Sequence, residues 1–122
     1  MKKNGFTLIE LLAVIIILAI IALIATPIVL NVVEQARLKA AESSANGYIS
    51  GVEAARYEYM FTNNMAEPTF ADIKDKVAET LKGETVTCDD GTLTNGIFSG
   101  TVVTESGYTC TVANSKVSSC TK

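Results

Sequence analysis

The hydrophobic pattern divides the chain into two unlike stretches. From Phe6 to Leu30, 25 residues, apolar side chains recur on every helical face and Glu10 is the only charge. As a helix at ~1.5 Å per residue this run is about 37 Å long, enough to cross a hydrocarbon layer of ~30 Å with some tilt. Lys2 and Lys3 precede it, and basic flanks stay on the cytoplasmic side, so the rest of the chain is expected outside. A secretory signal peptide would have a shorter apolar region and an A-x-A-like cut site. Here Ala19, Ala22 and Ala25 recur every third residue and no A-x-A occurs in the run, so the segment reads as an anchor. Pro27 lacks an N–H to donate to the Leu23 carbonyl, which predicts a kink or local loosening there.

After Pro27 the pattern narrows to one stripe. Leu38, Ala41, Ala45, Tyr48, Val52, Ala55 and Tyr59 alternate at spacings of three and four, while Arg37, Lys39, Glu42, Glu53, Arg56 and Glu58 fall mostly elsewhere. One helix is therefore predicted from Phe6 to about Phe61, apolar all round over 6–30 and amphipathic over 31–62, ending near Thr62-Asn63-Asn64. A head built from 63–122 should pack against one side of it.

Within that head Glu67-Pro68 makes a break, and Thr69 with Asp72 three residues on forms an approximate capping box. A short helix over 70–82 follows, burying Phe70, Ile73, Val77 and Leu81, with Gly83 as a fitting C′ residue. From Glu84 onward the chain turns to Thr, Val, Ser and Gly. Turn signals at Asp90-Gly91, Asn95-Gly96, Ser106-Gly107 and Asn114-Ser115 mark antiparallel strands within 85–120, roughly Thr85–Cys88, Ile97–Thr104, Tyr108–Ala113 and Lys116–Cys120. The fold class is α+β, a long N-terminal helix packed against a small C-terminal antiparallel sheet.

Composition removes several functions. The chain of 122 residues has no histidine, hence neither the usual general base nor the commonest neutral metal ligand. No nucleophile–base pair stands out, so no catalytic residue, cofactor or metal is expected and the chain does not read as an enzyme. Its net charge of −3 has the wrong sign for direct nucleic-acid binding. Asp89 and Asp90 beside Gly91 supply too few oxygens for calcium and read as an ordinary turn.

Cys88, Cys110 and Cys120 form no C-x-x-C pair. Behind a membrane segment they suggest one disulfide in an oxidising compartment, worth ~2 to 4 kcal/mol, with one thiol left over. If Asn114-Ser115 is a two-residue hairpin loop, Val112 faces Val117 and Cys110 faces Ser119. Cys120 then points away from Cys110, which makes Cys110–Cys120 the least comfortable bridge and Cys88 a member of the bonded pair. A three-residue loop would undo that expectation.

Gly5-Phe6-Thr7-Leu8-Ile9-Glu10, after a short basic leader and before some twenty apolar residues, resembles type IV pilins and pseudopilins. The likeness is close to about Pro27 and architectural beyond it. It implies a pilin fold, cleavage by a prepilin peptidase between Gly5 and Phe6 that removes leader 1–5, and N-methylation of Phe6. Loss of Lys2 and Lys3 leaves eight basic against thirteen acidic side chains, a side-chain charge of −5.

The resemblance also gives Glu10 a role. A carboxylate inside a membrane is costly, ~2.5 to 3.5 kcal/mol at a helix centre and less near an end. Cleavage creates an amine at Phe6, and a staggered neighbour could hold that amine opposite Glu10 and so draw a subunit into register. The plainer alternative is a carboxylate snorkelling to the interface. The implied partners are other copies of the chain, the peptidase, an assembly platform with its ATPase, and the membrane before assembly; DNA would meet only the finished filament. The resemblance further implies that Pro27 lets the helix loosen in a filament. A major pseudopilin of a type II secretion or competence system shares these features, although secretion pseudopilins often carry a late calcium loop that is not evident here. A membrane-anchored monomeric binding module is the reading from a different class.

Overall fold

A computed structural model describes Gly5, residues 7–80 and residues 85–122. The chain forms two compact units, residues 1–36 and 37–122. Helix α1 (Leu8–Thr62) belongs to both; α2 (Phe70–Thr80) and strands β1 (Val86–Cys88), β2 (Thr92–Thr94), β3 (Ile97–Thr104), β4 (Thr109–Ala113) and β5 (Lys116–Thr121) belong to the second. This α+β layout, a long N-terminal helix and a small antiparallel five-stranded sheet, matches the pilin fold.

In the first unit α1 has no core to face. Every large apolar side chain from Leu8 to Val33 is exposed, Leu8 at 86% and Leu23 at 77%. In the second unit the same helix is one-sided. Ala41, Ala45, Tyr48, Val52 and Ala55 are buried, Leu38 and Tyr59 pack at the edge, and Ile49 joins them although it lies outside the expected stripe. The alanines leave room for the sheet to approach: Cys110 Sγ lies 3.7 Å from the Ala41 carbonyl oxygen.

The end of α1 follows from its asparagines. Asn64 and Met65 take φ of 54° and 64°. Met65 N–H donates back to the Met60 carbonyl at 2.7 Å, the six-to-one bond of a Schellman ending. Arg56, near that end, holds the Glu67 carboxylate with two donors, one at 2.9 Å, and so ties the helix to the segment that leaves it. Thr69 N–H then donates to Asp72 Oδ2 at 2.9 Å and opens α2 as its spacing predicts. Phe70, Ile73 and Val77 are buried from α2. Leu81 and Gly83, expected to complete that helix, lie outside the described residues.

The sheet runs β1-β3-β4-β5, with β2 also paired to β3. The eight residues of β3 serve two short partners in turn, β1 at Val102–Thr104 and β2 at Ile97–Ser99. Strand β2 is absent from the sequence reading: three residues flanked by turn signals look like loop until a neighbouring strand supplies the ladder. The Asn95-Gly96 turn has φ of 51° and 81° and closes the β2–β3 hairpin. A side chain at Gly96 would also meet the Arg56 guanidinium at 2.8 Å. Phe98 is the centre of the core, with ring centroids 5.8 Å from Tyr48 and 5.3 Å from Phe70.

The disulfide corrects the sequence reading. Cys110 is bonded to Cys120, and Cys88 is a buried free thiol. The two-residue loop is present, with Asn114 and Ser115 at φ 52° and 60°, and Val112 does face Val117. The register then shifts: Thr111 pairs with Ser119 and Cys110 with Cys120, which leaves Ser118 as an extra residue. Its hydroxyl donates to the Thr111 carbonyl at 3.1 Å. One bulged residue reverses which face each later side chain points to, and that reversal brings Cys120 onto the inner face beside Cys110.

Ten positions separate the bonded cysteines, so the closed loop restricts the unfolded chain by roughly 2–3 kcal/mol. Replacing both by serine should lower the melting temperature of the second unit in the detergent-solubilised chain by several degrees. Calorimetry of the double variant checks this; an unchanged melting temperature would show that the hairpin needs no cross-link.

Candidate functional site

The candidate site is the start of α1, where the motif residues meet the first helical turn. Helix termini leave backbone N–H groups without intrahelical acceptors, and Thr7 and Glu10 satisfy two of them reciprocally. Thr7 N–H donates to Glu10 Oε2 at 3.2 Å, and Glu10 N–H donates to Thr7 Oγ1 at 3.2 Å. This is a capping box. The negative carboxylate also sits at the positive end of the helix dipole. Glu10 is exposed, as are Thr7 and Gly5, so a group approaching from outside the chain can reach it. Phe6, Lys2 and Lys3 lie outside the described residues, and with them the expected methylation position.

Thr7 is the residue that the sequence reading passed over. Its signal was present, since T-x-x-E before an apolar run is the sequence signature of a capped helix start. Inside one chain, therefore, the Glu10 carboxylate already has a donor.

Farther along, α1 runs through Pro27 without interruption. The cost of the proline is the one hydrogen bond that the Leu23 carbonyl cannot receive. One residue earlier, Thr26 Oγ1 donates to the Ala22 carbonyl at 2.6 Å, a second polar competitor for the backbone in the same turn. Ala22, Leu23, Thr26 and Pro27 line a shallow notch there. Among the described residues α1 is the one helix long and apolar enough to cross a membrane, and none of its most apolar stretch is buried within the chain.

The acids beside Cys88 have structural work. Asp89 pairs with Lys74 at 3.0 Å. Asp90 Oδ1 accepts from Thr101 N–H at 2.8 Å, standing in for a strand in the gap between β1 and β2. That bond holds the Asp90 carboxyl below the usual carboxylate range, and the Thr69 N–H does the same for Asp72. Cys88 is 2% exposed. Burial, with the Asp90 charge next in weight, pushes its thiol up to about 11.

Residues 1–26 match the family model described as the prokaryotic N-terminal methylation motif, which is the signal of class I type IV pilins. The chain is thus similar to type IV pilins and pseudopilins in that N-terminal signal and in its α+β layout. No curated protein and no solved structure matches it. The motif points to a structural subunit, and the apolar helix behind it to anchoring in a membrane before assembly.

These shifts give the second unit a stability plateau with opposite flanks. Asp72 and Asp90 have lowered values, so the stability they supply is present above their ordinary 3.8 and is lost as pH falls. Cys88 has a raised value, so its contribution is complete below 9.0 and is lost as pH rises toward 11. Thermal melts across pH should fall off on both sides, and Cys88→Ala should flatten the alkaline flank. In the folded chain at pH 8, iodoacetamide should label Cys88 far more slowly than in denaturant; equal rates would contradict its burial.

Proposed function

We propose that this chain is the subunit of an extracellular type IV pilus-like filament. It enters the cytoplasmic membrane as a prepilin, is cut between Gly5 and Phe6, and is methylated on the new N-terminal Phe6. Copies then leave the bilayer and polymerise through their apolar helices. The observation that carries this reading is the motif match over residues 1–26 directly ahead of a helix whose apolar surface the chain itself leaves uncovered. Moving that surface from lipid into a bundle of like helices exchanges one apolar medium for another.

In this scheme the Phe6 amine of an adjoining copy meets Glu10, and that ion pair in a low-dielectric bundle is far stronger than in water. The amine must displace or share the Thr7 N–H already bonded to the carboxylate. Pro27 supplies the point at which the helix loosens. Function then resides in the polymer, as adhesion, twitching movement or DNA uptake. The alternative of a major pseudopilin rests on the same motif; the Cys110–Cys120 bond, suited to a surface exposed to oxidants, favours the pilus. Electron microscopy of sheared cell-surface material, with mass spectrometry of the N-terminal peptide, tests the reading. Fibres beginning with methylated Phe6 support it; a full-length chain retained in membranes argues for a monomeric anchor.

Two substitutions probe the steps separately. Glu10→Val should leave membrane insertion and cleavage intact while reducing sheared filaments at least tenfold, and filaments at wild-type yield would remove Glu10 from assembly. Gly5→Arg should leave an uncleaved precursor in the membrane, visible on immunoblots as a band larger than the processed wild type.

A further inference from the structure

Two clefts of about 300 Å³ each occupy the two ends of the part of α1 that lies in the second unit. One, beside the start of that part, is lined by Arg37, Ala40, Ser106, Tyr108 and Lys122. It contains two cations and no acid among its lining residues, and the Lys122 ammonium sits 5.6 Å from the centre of the Tyr108 ring. The other lies between the end of α1 and α2. Its charged lining is Glu58, Asp72, Asp75 and Lys76, three acids against one lysine. Lys76 is already paired with Glu58 at 3.1 Å, and Asp72 with the Thr69 N–H, while Asp75 is exposed at the rim.

We propose that the Arg37–Lys122 cleft of one copy receives the Glu58–Asp75 rim of a second copy of this chain. This docking rests on the filament reading above and specifies how neighbouring C-terminal units meet. The charges are complementary, and in a chain with a net charge of −3 a cleft whose charged side chains are both cationic is the place for another copy's acids. Geometry fixes the kind of contact. Twenty-one positions separate Arg37 from Glu58, about 32 Å at ~1.5 Å per residue. Copies that enter a filament in the same orientation cannot be turned end for end, so the two clefts cannot satisfy each other within a closed pair. A shift of roughly 30 Å along the helix direction, the separation of the two clefts, sets the basic cleft of one copy level with the acidic cleft of the next, and each shift leaves one cleft unmatched at either end. Such a head-to-tail contact propagates without closing, as a filament requires.

The contact also differs in kind from the Glu10 pairing. It lies in water, where the screening length is ~8 Å at physiological salt, so it acts only once the units touch. It can set which units lie against one another, while the apolar helices hold the polymer together.

Zero-length carbodiimide coupling of sheared wild-type material tests this, because it joins an ammonium only to a carboxylate in contact. Mass spectrometry should find Lys122 coupled to Asp75 or Glu58 in fibres and not in the detergent-solubilised monomer. The pair Arg37→Glu with Lys122→Glu should cut fibre yield severalfold, and adding Asp75→Lys should restore part of it. Fibres in which Lys122 couples to neither acid, or whose yield ignores the reversals, would overturn the docking and leave the filament reading standing. Absence of any wild-type fibre would overturn both. A melting temperature of the Arg37→Glu, Lys122→Glu chain equal to wild type excludes misfolding as the cause of lost fibres.

Discussion

The governing constraint is apolar surface that the chain cannot bury by itself. Between Leu8 and Val33 α1 is hydrophobic in every direction, and each large side chain there is at least 39% exposed. A water-soluble monomer with that surface would aggregate, so the segment needs lipid or other helices around it. A helix is suited to both settings because it satisfies its backbone internally. The polar exceptions then carry the information. Thr7 and Glu10 close the first turn, and farther along Pro27 has no N–H for the Leu23 carbonyl while Thr26 Oγ1 donates to the Ala22 carbonyl.

The second unit solves a different problem with the same helix. Its body is small, and small bodies bury too little apolar surface to be stable on packing alone. Several devices add to the core. Phe98 gathers two aromatic neighbours from α1 and α2, Arg56 fastens the exit of α1 to Glu67, and a cross-strand disulfide restrains the last hairpin. Asp90 supplies an acceptor where β1 stops and β2 has not begun. Phe98 joins segments far apart in sequence, and the other three links span ten or eleven positions, which suits a unit whose sheet is made of short strands.

Much of this was written in local pattern. The three-and-four spacing of Ala41, Ala45, Tyr48, Val52 and Ala55 named the buried face of α1, because helical geometry alone decides which residues share a side. Thr69 and Asp72 marked the start of α2, and Asn95-Gly96 and Asn114-Ser115 marked two hairpin turns, because caps and turns are made by residues a few positions apart. The motif around Gly5 and Glu10 was legible for a related reason: its parts are contiguous in the chain.

Other features had no local signal. Strand β2 exists because β3 offers it an edge; Thr92, Leu93 and Thr94 alone would not form a strand. The cysteine pairing turned on Ser118. Nothing in Lys116-Val117-Ser118-Ser119-Cys120 announces that one serine will stand out of the ladder, and the bulge shows only when β5 is laid against β4. Arg37 and Lys122 stand eighty-five positions apart and share a cleft only after the sheet has folded onto α1. The sequence alone thus determined the helices, most of the turns and the N-terminal motif, since those depend on neighbours along the chain. Tertiary structure decided the register, the disulfide and the charged clefts, since those depend on which distant backbones come to lie side by side.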